Sequence, residues 1–263
     1  MVKNKYRKPH KIKRKKAFYK KNYFWISIAL ILIGAELIFL VCFCSFFKIR
    51  EIKITGNEKI EDQKLTNFVW DKIEKRLLVW SSKSIILANT SRLKEELKIS
   101  YPYIAEVRIN REFPDGLKLD IRERNPKLIW CSKNKCFKTD KTGIIFDNII
   151  QNKELTLLID KTRKEIPSLG TKVLNEEEIG KIFDIKERIK EYNIPISNFV
   201  IEMEKLTLKT KEGWEVYFAL EKDIEWQLTK LKADLEKEIS EEQRKKLEYI
   251  ELRFGNFAPY KFK

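Results

Sequence analysis

Residues 101–126 read YPYIAEVRINREFPDGLKLDIRERNP, and this stretch decides how the chain folds. Val107 and Ile109 alternate with polar residues, and Leu117, Leu119 and Ile121 do the same after the run Phe113-Pro114-Asp115-Gly116. In that run Pro fixes its own φ and Gly accepts turn conformations that other residues resist, so two antiparallel strands are expected, Ile104–Arg111 and Leu117–Glu123. A sheet with one apolar face needs a cover, and the preceding residues supply it. Leu65, Phe68, Val69, Ile73 and Leu77 recur at the spacing of one helix face, and a shorter helix starts in Asn89-Thr90-Ser91, presents Leu93 and Leu97, and stops before Tyr101-Pro102. Farther upstream Ile49–Thr55 alternates as a strand and closes on Gly56-Asn57. The order is β-α-α-β-β, and the unit is expected to span 48–125.

Downstream of Asn125-Pro126 the pattern describes a second unit, 126–263, of mixed type with a largely antiparallel sheet. Asp140 and Gly143 supply a turn between apolar flanks, Asn175 and Glu178 have the spacing of a helix capping box, and Ile179, Ile182, Phe183, Ile185 and Ile189 form the buried stripe of that helix. Strands are expected at 199–201, 206–208 and 214–218, and helices at 224–237 and from Ser240 onward. No assignment is made for 148–165. The fold class is therefore α+β.

Upstream of both units, 24 residues from Phe24 to Phe47 carry one ionisable side chain, Glu36. At about 1.5 Å per residue they reach roughly 36 Å, enough to cross the ~30 Å hydrocarbon core, and the run is too long for the apolar region of a cleaved signal peptide. A single transmembrane helix is expected over 23–47. Residues 1–22 hold eleven Lys/Arg and no Asp/Glu, so the positive-inside bias makes them a basic cytoplasmic tail and leaves the rest outside. Removing the tail's charges and Glu36 from the formal +16 leaves about +6 on the remainder, so the basic excess belongs mostly to the tail. Its place beside the membrane accounts for it through topology and anionic headgroups, and no nucleic-acid partner is called for.

The run from Asn89 to Leu93, then 101–126 with its spacing of Val-x-Ile-x-Arg-x-Phe-Pro, Leu-x-Ile and Glu-Arg-x-Pro, strongly resembles the POTRA domain of the bacterial FtsQ/DivIB cell-division family. Trp130 and 137–146, Ile166–Gly170 and 247–256 are similar to that family's second domain, with Glu251 where the family more often has Asp. The resemblance implies a non-enzymatic, bitopic scaffold of the inner (plasma) membrane. Such a scaffold sits at the division septum, links early and late divisome components, and binds FtsB/DivIC-like and FtsL-like partners. The alternative is a POTRA-containing factor for secretion or outer-membrane assembly, which would carry a cleaved signal and repeated POTRA units or a barrel.

Catalytic, cofactor and metal sites are not expected, because the sole His is His10 on the cytoplasmic side, and Glu176–Glu178 and Glu241-Glu242 sit where helix starts favour negative charge. Three other groups stand out. Cys131 and Cys136 enclose a polar four-residue turn, which suits either a local disulfide or two free thiols. Glu36 in the apolar run is either an interhelical hydrogen-bonding group, with Gly34 and Ala35 permitting close approach, or a lipid-facing carboxyl. The segment Phe254–Phe262 is expected to be the last strand of its sheet. Its open edge would take a partner segment, anchored by Arg253, Phe254, Tyr260 and Phe262, unless it is a core strand with those aromatics turned inward.

The topology is tested by a membrane-impermeant thiol label on single-cysteine variants of intact cells with a permeable outer layer. Position 133 should label from outside and position 3 should not; labelling of position 3 would contradict the orientation.

Overall fold

The computed structural model describes residues 21–43, 45–73, 75–77, 80–149 and 155–263. All but the last two residues of the basic tail, and Cys44 of the apolar run, lie outside these. Asn22–Phe43 forms helix α1, and Asn22–Leu40 is the one stretch among the described residues long and apolar enough to cross a membrane. The helix is shorter than the apolar run, because Ser45–Phe47 tightens into a single 3-10 turn. Backbone bonds then tie this exit to the first folded unit: Ile85 N–H donates to Phe47 O (2.9 Å) and Ile49 N–H to Lys83 O (3.0 Å).

The first sheet has three strands in the order β1 (Glu51–Thr55), β5 (Gly116–Glu123), β4 (Ile104–Glu112), with β1 parallel and β4 antiparallel to β5. Helices α2 (Asp62–Ile73) and α3 (Thr90–Ser100) cover one face, burying Leu65, Leu97, Ile104, Leu117 and Leu119 completely. Asn89 caps α3 by accepting from Arg92 N–H at 3.0 Å. Gly56, at φ +83°, passes so close to the sheet that a Cβ there would lie 2.1 Å from Ile121 O, a space only glycine tolerates. The expected helix through Leu77 ends at Ile73. Lys75–Leu77 (β2) and Trp80–Ser82 (β3) pair instead as a short hairpin, and Leu77 merely falls at helical spacing from Ile73.

The second sheet has nine strands. In spatial order they are β14 (Tyr260–Phe262), β13 (Leu247–Glu251), β12 (Glu215–Phe218), β11 (Lys205–Thr210), β10 (Ile196–Glu202), β9 (Thr156–Asp160), β6 (Leu128–Ser132), β7 (Lys135–Thr139) and β8 (Ile145–Ile149). Three of the eight neighbouring pairs are parallel, β12–β13, β10–β9 and β6–β9, so the sheet is mixed and largely antiparallel, and the α+β class is the fold observed. Helices α4 (Glu176–Glu191) and α5 (Ile224–Lys237) pack over a core containing Trp130, Phe199, Phe218 and Ile182. Both expected capping boxes form, Asn175 with Glu178 and Ser240 with Gln243, the latter starting the four-residue α6 (Glu241–Arg244). Strand β9 lies inside the stretch left unassigned; its run Leu157-Leu158-Ile159 is apolar on both faces and shows no alternation in sequence, although only Leu158 is fully buried. The expected last strand shrinks: only Tyr260–Phe262 pairs, while Arg253 and Phe254 sit in the loop before it.

The two cores share no residue and meet at a polar junction. Arg124, just past β5, donates Nη1–H to Asp140 Oδ2 at 2.5 Å, with only 10% and 6% of the two side chains exposed, and donates Nε–H to Pro102 O at 3.0 Å. The other oxygen of Asp140 accepts from Thr142 N–H (3.0 Å), Thr142 Oγ1 (2.7 Å) and Ile144 N–H (3.1 Å). Tyr103 adds an edge-on contact with Phe146, centroids 5.5 Å apart. Burial alone would raise the Asp140 carboxyl, but the donors from Thr142, Arg124 and Ile144 outweigh it and hold it below the ordinary value.

Removing one partner of a buried pair strands the other charge. Arg124→Met should therefore destabilise the protein by about 3–5 kcal/mol in urea unfolding, and Arg124→Met with Asp140→Leu should recover most of that loss. A depressed carboxyl stabilises the fold above its unfolded value of about 3.8 and ceases to do so as pH falls below it, so the wild-type advantage should fade under strongly acidic conditions.

Candidate sheet-edge interface

Strand β14 closes one end of the nine-stranded sheet, paired to β13 and with no strand on its other side among the described residues. Lys263 N–H donates to Lys246 O (2.8 Å) and Pro259 O accepts from Glu251 N–H (2.8 Å), which places 259, 261 and 263 in the inward-bonded phase. By alternation the N–H and C=O of Tyr260 and Phe262 point away from the sheet. Pro259 ends the ladder, since it accepts toward β13 but has no N–H to return. Tyr260 and Phe262 lie opposite Ile250 and Leu247, whose side chains are in the core, so the two rings extend the helix-covered face to the edge and touch each other at 5.4 Å. They remain 37% and 38% exposed, with Phe254 and Phe257 on the preceding loop at 58% and 75%. On the opposite face Lys261 pairs with Glu248 at 2.6 Å.

Arg253 differs from its expected role. Its Nε–H and Nη2–H already hold both oxygens of Glu251, at 2.9 and 2.7 Å, and its guanidinium lies 4.8 Å from the centre of the Phe254 ring. The two-pronged grip foreseen for a partner carboxylate is thus spent within the chain, and the Glu251 bond, with burial opposing it, raises the guanidinium's affinity for its proton. Arg253 lies against Phe254 and over the ring of Tyr217, 5.9 Å from its centre, and Tyr217 in turn stacks on Tyr249 at 5.3 Å. The structure therefore brings Tyr260 and Phe262 together at the edge and places Phe254 on the loop before β14, against Arg253 and Lys222. Phe257 was missed in the sequence because it precedes the strand and follows no alternation.

The other singled-out groups lie elsewhere. Cys131 and Cys136 face each other across β6–β7 and are joined as a disulfide, Cα atoms 4.1 Å apart, at the far half of the sheet. Glu36 lies on α1, where no part of the described chain reaches it. Successive residues on a helix turn by about 100°, so Gly34 stands about 160° from Glu36 and Ala35 about 100°, while Ala29 falls within about 20°. The close approach foreseen through Gly34 therefore belongs to the opposite side of the helix.

A helix of transmembrane length, a two-helix, three-stranded domain and a mixed-sheet domain that ends in β14 together fit a single-pass membrane protein of the POTRA class. The model of the POTRA domain, FtsQ-type, matches residues 47–124. Similar proteins include the cell division protein FtsQ of Novosphingobium aromaticivorans, 22% identical over 113 residues, 43% of this chain and 32% of that one. FtsQ of Streptomyces bingchenggensis is 19% identical over 167 residues, 62% and 60% of the two chains. The cell division protein DivIB of Clostridium tetani is 25% identical over 193 residues, 70% and 68% of the two chains. The matches thus span about a third and three fifths of the first two relatives. Residues 47–124 thus carry a POTRA domain of the FtsQ type, and the relatives that the chain resembles are FtsQ and DivIB cell division proteins.

One carboxylate near the edge is left unsatisfied. Asp234 on α5 has a buried Oδ2 with no hydrogen-bond partner among the described residues, and burial, with Glu238 adding to it, pushes its pKa up to about 6. A group raised above its unfolded value stabilises the fold below that value, about 3.8, and loses the contribution as pH rises through about 6. Asp234→Asn should accordingly raise the melting temperature at a pH of about 7.5 and change it little near about 4. An equal effect at both would contradict this account.

Proposed function

We propose that this protein is a single-pass division component with its N-terminus in the cytoplasm. On this reading its outer domains recruit a partner by adding an extended partner segment to the β14 edge. The resemblance to the FtsQ/DivIB family supplies the partner class, FtsB/DivIC-like and FtsL-like proteins, and a role linking early and late components of the division machinery. The observation that carries the reading is the pair of outward-facing backbone groups at Tyr260 and Phe262, beside aromatic rings that the chain leaves partly uncovered. Such an edge binds through backbone pairing, while the pockets beside it choose the side chains.

Magnitudes divide the labour between the two. Two outward residues offer at most four backbone bonds of about 1 kcal/mol net each, roughly half of the ~8 kcal/mol that a micromolar complex needs. Contact with Phe254, Phe257, Tyr260 and Phe262 has to supply the remainder, so the partner segment should place apolar side chains on the face shared with Ile250 and Leu247.

The proposal is tested with the extracytoplasmic segment of the FtsB/DivIC-like protein from the same organism, titrated onto the full chain in detergent. Phe262→Pro removes an outward N–H without touching the inward bonds and should weaken binding at least tenfold. Lys261→Ala, on the other face, should change it less than threefold. Wild-type affinity in a folded Phe262→Pro protein would overturn the edge mechanism.

A further inference from the structure

Lys230 is a charged side chain placed where a charge is costly. It projects from α5, is only 6% exposed, and its ammonium reaches Leu252 O at 2.6 Å and Phe254 O and Gly255 O at 3.3 Å each. In the turn just before the helix starts, Lys222 donates to Arg253 O at 2.9 Å and lies 5.5 Å from the centre of the Phe254 ring. No backbone N–H among the described residues donates to any of these four carbonyls. Gly255 takes a left-handed conformation, φ +60°, within this same run.

The loop held in this way connects β13 to the edge strand β14. Its ends are secured by Leu252 N–H to Tyr217 O (3.0 Å) and Glu251 N–H to Pro259 O (2.8 Å). Between them the carbonyls of residues 252–255 converge on two ammonium groups, as they would on a small cation. An uncompensated buried ammonium costs several kcal/mol, so a hydrocarbon side chain would suit the site better if packing were its whole purpose.

We infer that Lys230, assisted by Lys222, is the positioning residue of the sheet-edge interface. It locks the loop so that Phe254 stands beside the edge and β14 is held in register against β13. The inference rests on the edge reading given above and assigns the control of that edge to α5. Lys230 touches no partner itself and acts through the backbone it holds. Arginine at this position would keep the charge but not the compact, three-way donor geometry.

Hydrogen–deuterium exchange on the full chain in detergent tests this without any partner. Lys230→Met, which keeps the length and loses the donors, should speed exchange of the Glu251 and Lys263 amides at least tenfold while Val216 and the α4 amides stay at wild-type rates. Binding of the same FtsB/DivIC-like segment should weaken at least tenfold, and Lys230→Arg should recover part of both effects. Lys222→Met, a change at the exposed end of the clamp that spares the core, should loosen Glu251 two- to fivefold even if Lys230→Met unfolds the domain. Wild-type exchange at Glu251 and Lys263 in folded Lys230→Met, or no loosening in Lys222→Met, would overturn the assignment whatever the partner does. Loosened amides with undiminished affinity would show that the clamp does not position the interface. If Lys230→Met loosens the edge while Phe262→Pro binds normally, the edge reading has failed and not the clamp.

Discussion

The ion pair between Arg124 and Asp140 is the contact on which the arrangement of the two domains depends. It takes a side chain from the end of the POTRA sheet and a carboxylate from the β7–β8 turn of the second sheet, and buries both between two cores that share no residue. Each member is satisfied more than once, Arg124 by Pro102 O and Asp140 by the Thr142 and Ile144 donors, and this removes most of the penalty for burying charge. A greasy junction of similar size would adhere as well but would tolerate many angles. A charge pair with fixed donors tolerates few, so the direction in which the second sheet leaves the membrane-proximal domain is set here.

That direction matters because the proposed interface lies at the opposite end of the second sheet. The nine strands run from β8, near the junction, to β14, each bonded to the next. The edge is thereby carried away from the Arg124–Asp140 junction on a continuous ladder. The disulfide between Cys131 and Cys136 stiffens the near half of this ladder, and Lys230 and Lys222 hold the loop at the far end. A rigid path of this kind lets a short, three-residue edge strand hold a defined position.

Much of the architecture was legible because local chemistry and tertiary need agree. Pro114, Asp115 and Gly116 mark the β4–β5 turn, Asn89, Asn175 and Ser240 mark helix starts, and alternation marks β4 and β5. Where apolar residues occupy both faces of a strand the signal disappears: Leu157, Leu158 and Ile159 of β9 show no period although only Leu158 is fully buried, and the β2–β3 hairpin carries no glycine or asparagine to announce it. The site was legible only in part. Tyr260 and Phe262 follow strand alternation, but Arg253 looks free in the sequence and is bound to Glu251 in the fold. Lys230 reads as one more surface lysine of a charged helix, because nothing local reveals that carbonyls from Leu252 to Gly255 will fold back onto it.

The central claim is that a partner completes the sheet at β14. Residue-resolved amide exchange of Tyr260 and Phe262, with and without a saturating FtsB/DivIC-like segment, tests it most directly. Their N–H groups face outward and have no bond among the described residues, so they should exchange freely alone and become strongly protected in the complex, while Lys263 is already slow in both. A tight complex that leaves the Tyr260 and Phe262 amides as fast as in the free protein would contradict it.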